Sequence, residues 1–510
     1  LQEYKLEKLA LISVSDKTNI KEFTEELVNL NYKIIATGNT AKVLREAGIE
    51  VTEISNLTGF PEIFDGRVKT LHPKIFGGIL FRRDNLEDQK QAEANSILPI
   101  DIICVNLYPF IKTASDPNSN IEKIIENIDI GGPSLIRASA KNYKFVSIIT
   151  NPQQYESFLS ELKKGVVSET TRKSLAVAAF SHTAYYDTYI SNFLEKKFDI
   201  PSTHIRINYP KEKILRYGEN PHQQAALYGN FQDYFEVFHG KEVSYNNILD
   251  LVAAVELGED LGENSCTIIK HQNPAGAALG FDLFNAYEKA LKCDPVSAFG
   301  GIVTFTGIVD ERLALKLNEI FLEIVCARGY TEDALKVLNK KRDRRLLRQL
   351  KPVSDEKIMF RNIPGGVIVQ DSDRITLNES ELKIVTNKQP TIDELEDLKF
   401  AWTISKHTKS NAIIFAKDKA ALGVGAGQMS RVDSVKIASL KAEEHGLSLK
   451  NSVAASDAYF PFADGLLAII KCGATSVIQP GGSVRDNEVI EAANQNNISM
   501  VFTGIRHFKH

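Results

Sequence analysis

No two cysteines of this 510-residue chain are spaced as CxxC. The five present, Cys104, Cys266, Cys293, Cys326 and Cys472, are scattered and odd in number, which argues against a zinc knuckle or a redox dithiol. Thiols so placed are expected to be small buried residues of a protein in a reducing cytoplasm. An apolar run of 18 residues is missing as well, as is a basic-then-apolar leader, so neither a membrane span nor a signal peptide is expected. The chain opens on Leu rather than Met, and a few residues are expected to precede it. Charge of one sign is not in excess either. The net charge is −4 and the pI about 6.3, so no nucleic acid and no membrane is expected as a partner. Low-complexity tracts and a convincing sequence repeat are also lacking. What remains is a globular composition, 43% hydrophobic and 25% charged, in a chain long enough for two to four domains.

Short β-like runs alternate with helical ones through the first 150 residues. "LALISV" (9–14), "KIIAT" (33–37), "DIICVNLY" (101–108) and "FVSIIT" (145–150) read as buried strands, with helices over "NIKEFTEELVNL" (19–30) and "TAKVLREAG" (40–48). The pattern predicts an α/β fold with a parallel sheet, helices on its faces and ligands beyond the carboxyl ends of the strands. A long helix is expected over 168–198. A domain boundary follows, with 1–199 as one domain and 200–510 as a second α/β region. "NKQPTIDELEDLKFAW" (387–402) starts a helix with a proline and an acidic first turn, dividing the second region into parts of about 200–386 and 387–510. The basic run "KKRDRRLLRQLK" (340–351) has no interleaved aromatics and is expected to be a solvated face.

Chemistry collects at the strand ends. "SVSDKT" (13–18) supplies Ser13, Ser15, Lys17 and Thr18, and "TGNT" (37–40) supplies Thr37, Gly38 and Thr40. Hydroxyls, a lysine and free helix N–H groups suit a phosphate. Plain N-capping explains either stretch alone, but two at successive strand ends favour phosphate. "RVKTLHPKIFGG" (67–78) crowds Arg67, Lys69, Thr70, His72 and Lys74 into eight residues, either an anion site or a solvated basic loop. "NLYPF" (106–110) adds Asn106 and Tyr108. "IDIGGPSLIRASAKN" (128–142) adds Asp129, Gly131 and Lys141, a lysine that could exchange protons near neutrality if other cations lowered its pKa.

These motifs, in this order, resemble the cyclohydrolase half of the bifunctional AICAR formyltransferase/IMP cyclohydrolase family of purine biosynthesis. "LRYGENPHQ" (215–223), "IIKHQNPAGAA" (268–278), "SAFGG" (297–301), "SNAIIFA" (410–416), "GVGAGQMSR" (423–431) and "SDAYFPF" (456–462) are similar to its formyltransferase half. The resemblance covers nearly the whole chain. Two positions depart from the family pattern: Asn39 stands where a second Gly is usual, and Glu323 where some members carry an Asp.

The resemblance implies a methylglyoxal-synthase-like first domain and two cytidine-deaminase-like α/β subdomains. It implies formyl transfer from 10-formyltetrahydrofolate to AICAR, giving FAICAR, then ring closure to IMP. For ring closure it implies Lys141 as proton donor or acceptor with Lys69, Tyr108 and Asp129. That makes 67–78 the reactive-end wall, Arg67 and Thr70 included, and leaves the phosphate to the strand-end cradle. For formyl transfer it implies His271 as the base, with Lys270 and Asn411 on the formyl oxygen. Asn106, Gly131, Arg216, Tyr217, Phe299, Gly300, Glu323 and Arg431 are implied as substrate contacts. Val432, Tyr459, Asp464, Gln479, Pro480, Arg506 and His510 fall on the folate side. The HxE…PCxxC signature of working deaminases is absent, so no catalytic metal is expected. A cytoplasmic homodimer is implied. Two alternatives stand beside this reading: a methylglyoxal-synthase-like lyase, and a non-catalytic purine-nucleotide or folate sensor.

Overall fold

Residues Lys8–Ser13 place Leu9, Ala10, Leu11 and Ile12 successively in the interior. A run buried on both faces is a strand with helices on either side, and this one, β1, lies at the centre of its sheet. The computed structural model describes residues 7–64, 66–353 and 358–510. The chain divides into two compact units, Leu1–Asn208 and Tyr209–His510. Among the described residues the first unit has five strands: β1, β2 (Tyr32–Ala36), β3 (Val51–Glu53), β4 (Ile102–Val105) and β5 (Ser147–Ile149). They pair in parallel in the order β3-β2-β1-β4-β5, so the expected parallel sheet is present. The chain winds to one side of β1 and then returns to the other, leaving a crevice at the β1 and β4 ends where such sheets take ligands.

The helix Ile20–Asn29 covers the sheet because Ile20, Phe23, Thr24 and Leu27 recur at helical spacing and are buried. Phe23 stacks on Tyr155 with ring centroids 4.2 Å apart. Truncating it to Ala would cost about 3–5 kcal/mol. The long helix Glu169–Lys197 starts where Ser168 accepts a hydrogen bond from the Thr171 N–H. The strand expected over 101–108 stops at Val105, because Asn106 turns its side chain onto the β1 loop.

In the second unit β6 (Lys211–Leu215) and β7 (Ala225–Tyr228) form a hairpin, and β14 (Ile358–Ile363) and β15 (Gly366–Asp371) another. The other strands are β8 (Phe235–His239), β9 (Ser265–Lys270), β10 (Asn273–Leu279), β11 (Ile302–Val309), β12 (Ile324–Tyr330), β13 (Arg345–Gln349), β16 (Lys383–Ile384), β17 (Ile413–Lys417), β18 (Ala420–Gly425), β19 (Val453–Ser456), β20 (Ser476–Gln479) and β21 (Ser499–Phe502). Among the described residues they form one sheet in the order β16-β21-β20-β19-β17-β18-β10-β9-β11-β12-β13-β8. Read outward from the central antiparallel pair β10–β18, the two halves match. Each has a hairpin, an antiparallel neighbour, two parallel strands and an antiparallel edge.

The repeat missed in the sequence is therefore present in the topology: the order of elements recurs while residue identities do not. The expected division near 386 falls just after β16 (Lys383–Ile384), the edge strand of the second half, and β10–β18 pairing joins the two halves into one sheet. The helix of the second half, Ile392–Lys406, starts just past Pro390 with a Thr391–Glu394 capping box.

The basic run departs from its expectation. Leu346 and Leu347 are core, and Arg344 is 2% exposed, its guanidinium donating to Asn318 Oδ1 (2.6 Å) and Leu317 O (3.1 Å). Arg345 pairs with Glu323 at 2.5 Å. Part of a supposed solvated face is thus a partly buried strand, because the consecutive Arg344 and Arg345 find internal partners. Cys104, Cys266, Cys293 and Cys326 are buried and Cys472 half-buried, all unpaired.

Candidate active sites

At the carboxyl ends of β1 and β2 the hydroxyls bind one another. Ser13 Oγ and Thr37 Oγ1 lie 3.0 Å apart, and Thr40 Oγ1 accepts from the Val14 N–H (3.2 Å) and donates to Val14 O (3.1 Å). Lys17 Nζ donates to Val14 O and to Thr40 Oγ1, the latter at 3.3 Å. Burial lowers the Lys17 pKa, while the neighbouring Asp16 charge works against it. Thr37 precedes the helix Gly38–Glu46 but makes no side-chain cap bond to it. Its hydroxyl is committed to Ser13, so the first N–H groups at Gly38 stay available. Asn106 plays a different part from the expected contact. Its Oδ1 accepts from the Ser15 (2.6 Å) and Asp16 (2.8 Å) N–H groups, and its Nδ2 donates to Asp16 O (3.0 Å). It braces the loop that bears Ser15.

A second cluster stands beside the start of the helix Gly131–Lys141. Lys69 Nζ donates to Tyr108 Oη at 3.3 Å. Asp129 Oδ1 accepts from the Gly132 N–H at 2.8 Å, and the Asp129 N–H donates to Tyr186 Oη at 2.8 Å. Burial pushes the Asp129 carboxyl above its usual range, against N–H donors from Gly132 and Tyr108 and the charge of Lys69. Thr70 is buried against Gly131, where a Cβ would stand 2.7 Å from its Oγ1. Arg67 is exposed and paired with Glu126 at 2.9 Å. Lys74 donates instead to Leu57 O (3.5 Å), and His72 caps the helix Pro73–Leu80.

Lys141 is not brought into this cluster. It is exposed at the far end of the helix that Gly131 opens, and ten residues at helical rise separate them by roughly 15 Å. Next to it, Asn142 Nδ2 donates to Ile79 O (2.6 Å) and Phe81 O (3.2 Å), at the distal end of the helix that His72 caps.

In the second unit one hydrogen bond, from the Lys409 N–H to Asn273, joins the segment that bears Lys270 and His271 to the segment that bears Asn411. His271 and Gln272 form the two-residue turn between β9 and β10, with φ of 53° and 61°. Asp250, on the helix Tyr245–Leu261, accepts from both turn N–H groups, at 3.2 Å from His271 and 2.7 Å from Gln272. Asn273 Nδ2 donates to His271 O (3.2 Å), while its Oδ1 accepts from the Lys409 N–H (3.0 Å). Two residues on, Asn411 Nδ2 donates to Gln428 O (2.8 Å). Lys270 Nζ donates to Phe299 O (2.8 Å), and the next residue, Gly300, has a φ of 73°. The loop bearing Arg216 and Tyr217 is tethered to the same helix by Asn246 Nδ2 on Glu219 O (3.2 Å). Sequence reasoning missed Asp250, Asn246 and Asn273; "YNNILD" (245–250) carries two of them, without a motif that marks them.

Other expected contacts turn inward. Arg431 Nε donates to Ser456 Oγ (3.2 Å) and its guanidinium lies 3.5 Å from the fully buried Asp457. Asp457 also accepts from Ser410 Oγ at 2.6 Å, which joins Arg431 to the Asn411 segment. Glu323 is occupied by Arg345. Gln479 is fully buried, its Oε1 accepting from the Phe460 N–H (3.3 Å) and its Nε2 set against Met500 Sδ (3.4 Å), so its side chain shapes the loop. Pro480 is buried behind it, and Val432 is half-buried. Tyr459, Asp464, Arg506 and His510 are exposed; Arg506 stacks on Phe508, 4.2 Å from the ring centroid, and His510 O accepts from Arg361 at 3.0 Å. A cavity of about 410 Å³ lies instead beside the Asp418–Lys419 turn, lined by Phe281, Lys289 and Asp393 among others. It contains none of the expected site residues.

Residues 139–441 match the family model described as AICARFT/IMPCHase bienzyme, and residues 19–134 match that of the MGS-like domain. The chain belongs to the AICARFT/IMPCHase bienzyme family. Relatives named bifunctional purine biosynthesis protein PurH are alike over almost their full length. The one from Persephonella marina is 52% identical over 98% of this chain and 99% of its own. Those from Chlorobaculum parvum and a Thermoanaerobacter species are 50% and 49% identical, each over 99% of this chain. Membership in this bienzyme family makes the chain a two-activity enzyme of purine biosynthesis, as the resemblance implied, and the MGS-like match bears out the expected first domain. Among the described residues no cluster of metal-ligating side chains is present, and no helix is long and apolar enough to cross a membrane.

Proposed function

We propose that the first unit closes FAICAR to IMP at the Lys69–Tyr108–Asp129 cluster, and that the second formylates AICAR at His271, Lys270 and Asn411. The cosubstrate is 10-formyltetrahydrofolate. In formyl transfer the AICAR amine forms a bond to the formyl carbon, the bond to the folate N10 breaks, the amine proton passes to His271 and N10 gains a proton. Conjugation makes that amine a poor nucleophile, so a positioned base matters. Lys270 and Asn411 support the negative charge that grows on the formyl oxygen. The folate occupies the side bounded by Tyr459, Asp464, Arg506 and His510; Val432 and the buried Gln479 and Pro480 form the wall behind.

Ring closure joins the carboxamide nitrogen to the formyl carbon; the bond from that carbon to its oxygen then breaks, and the oxygen leaves as water with one proton from the carboxamide nitrogen and one from the formamido nitrogen. Both reacting groups are already in one molecule, so holding them in place supplies much of the rate. The Lys69 ammonium and Tyr108 hydroxyl polarise the oxygen that leaves, and the Asp129 carboxylate takes the nitrogen's proton. Arg67 and Thr70 complete that wall, while Ser15, Lys17, Thr37, Gly38 and Thr40 hold the phosphate. Lys141 receives no direct contact with the reacting atoms.

The observation that carries this reading is the framework from Asp250 through His271 and Asn273 to Lys409 and Asn411, which joins motifs 140 residues apart in sequence into one place. A homodimer in the cytoplasm completes the proposal. The hairpin β14–β15 exposes Phe360, Ile363, Val367 and Ile368, an apolar surface suited to a second copy, and unpaired cysteines suit a reducing compartment. AICAR and 10-formyltetrahydrofolate incubated with the protein should yield IMP. Methylglyoxal from dihydroxyacetone phosphate would favour a lyase, and binding without turnover a sensor.

A further inference from the structure

The two matching halves of the large sheet contain the same device twice. In the first, Asp250 grips the N–H groups of His271 and Gln272. In the second, Asp397 on the helix Ile392–Lys406 grips those of Asp418 (2.8 Å) and Lys419 (2.7 Å), in the turn between β17 and β18. All four turn residues have positive φ: 53° and 61° in one turn, 53° and 54° in the other. Such turns favour Asn and Gly, because a side chain in this region of φ is strained. Neither turn has a glycine. Each is held by a carboxylate that accepts two N–H groups at once, and such charge-assisted bonds are strong. The difference lies in what the turns carry: His271 in one, and in the other no residue assigned to either reaction.

We propose that Asp250 is a positioning residue for formyl transfer, fixing the His271 turn in its left-handed conformation so that the imidazole meets the acceptor amine. This rests on the reading of His271 as the base. Asp250 fixes the amide side of His271, and Asn273 Nδ2 fixes its carbonyl, so the backbone of the base is held on both sides. The second half of the sheet supplies a control within the same chain. Asp397 makes the same bonds to a turn that carries no residue assigned to either reaction.

Asp250→Asn replaces one acceptor by a donor facing an N–H, so one grip is lost. Its kcat for formyl transfer should fall roughly 10- to 100-fold, the scale of an ångström's misplacement, with the KM for AICAR within about threefold. Adding Gln272→Gly, which takes positive φ without strain, should recover most of the loss. Asp250→Asn and Asp397→Asn should lower the melting midpoint by similar amounts, while kcat of the Asp397 variant stays within about twofold. Ring closure of supplied FAICAR reports folding in every variant. If Asp250→Asn loses ring closure as well, Asp250→Glu replaces it: both acceptors remain but stand one methylene further out, and kcat should still fall several-fold. Equal kcat losses for the Asp250 and Asp397 variants, or no recovery with glycine, would overturn the proposal. His271→Ala is run alongside. If it transfers formyl groups normally, the base assignment fails; if it is inactive while Asp250→Asn and Asp250→Glu match wild type, only the role of Asp250 fails.

Discussion

The two units build their candidate sites by different means. In Leu1–Asn208 the reactive groups stand near the carboxyl ends of one parallel sheet, where strand order decides the crevice. Side chains there are short and hold one another, as Ser13, Thr37 and Thr40 do. In Tyr209–His510 the candidate base sits on a hairpin turn at the centre of a sheet made of two matching halves. Its partners arrive from distant segments through side-chain bonds to backbone groups: Asp250 to the turn, Asn273 to Lys409, Asn411 to Gln428. A site of the first kind follows from topology. One of the second kind depends on particular polar side chains and is weakened by the loss of any of them.

That contrast predicts a clean separation of losses, largest first. His271→Ala should lower formyl transfer by roughly 10²–10⁴ and Lys270→Ala by about 10²–10³, both leaving ring closure intact; steady-state assays with AICAR and with FAICAR decide it. A parallel loss of both activities would abolish the distinction.

Asp129→Asn should slow ring closure by about 10²–10³ and spare formyl transfer. Its pH profile sharpens the point. Burial raises the Asp129 pKa, so the carboxylate is protonated at a higher pH than usual. Ring closure should therefore fall as pH drops through that raised value, and the asparagine variant should lack this limb. The stability sign is opposite. The folded state binds this proton more tightly than the unfolded chain does, so the contribution is present at low pH and lost as pH rises through the folded value.

Lys69→Ala should weaken ring closure by about tenfold or more, whereas Lys74→Ala, which frees only a long bond to Leu57 O, should be nearly silent. Equal effects would return the 67–78 stretch to a solvated basic loop. The smallest effect expected is that of Glu126→Gln. It releases Arg67 from an exposed ion pair of the kind that contributes ~0–1 kcal/mol, so the melting midpoint should scarcely move.

Much of the first site was legible because strand-end motifs and strand order are local and topological facts. Lys141 shows the limit of a motif. "RASAKN" adjoins "IDIGG" in sequence, but the helix between them carries the lysine away from Asp129. Gln479 and Arg431 show another, since polar residues expected at ligands are spent on Phe460, Ser456 and Asp457. Asp250 had no signal at all; its partners lie 21 and 22 positions away, and only the packing of helix on hairpin brings them together.

The sequence by itself determined the alternation of strands and helices, the parallel sheet of the first unit, the buried thiols and the motif order that marks the family. These rest on periodicity and on short-range residue chemistry. The tertiary structure alone decided that β10 pairs with β18, that the two halves of the second unit mirror each other, and that Arg344 and Arg345 are spent internally. It also decided that two aspartates each hold a strained turn. Such contacts join residues far apart in the chain, and their free energy exists only once the sheet has closed around them.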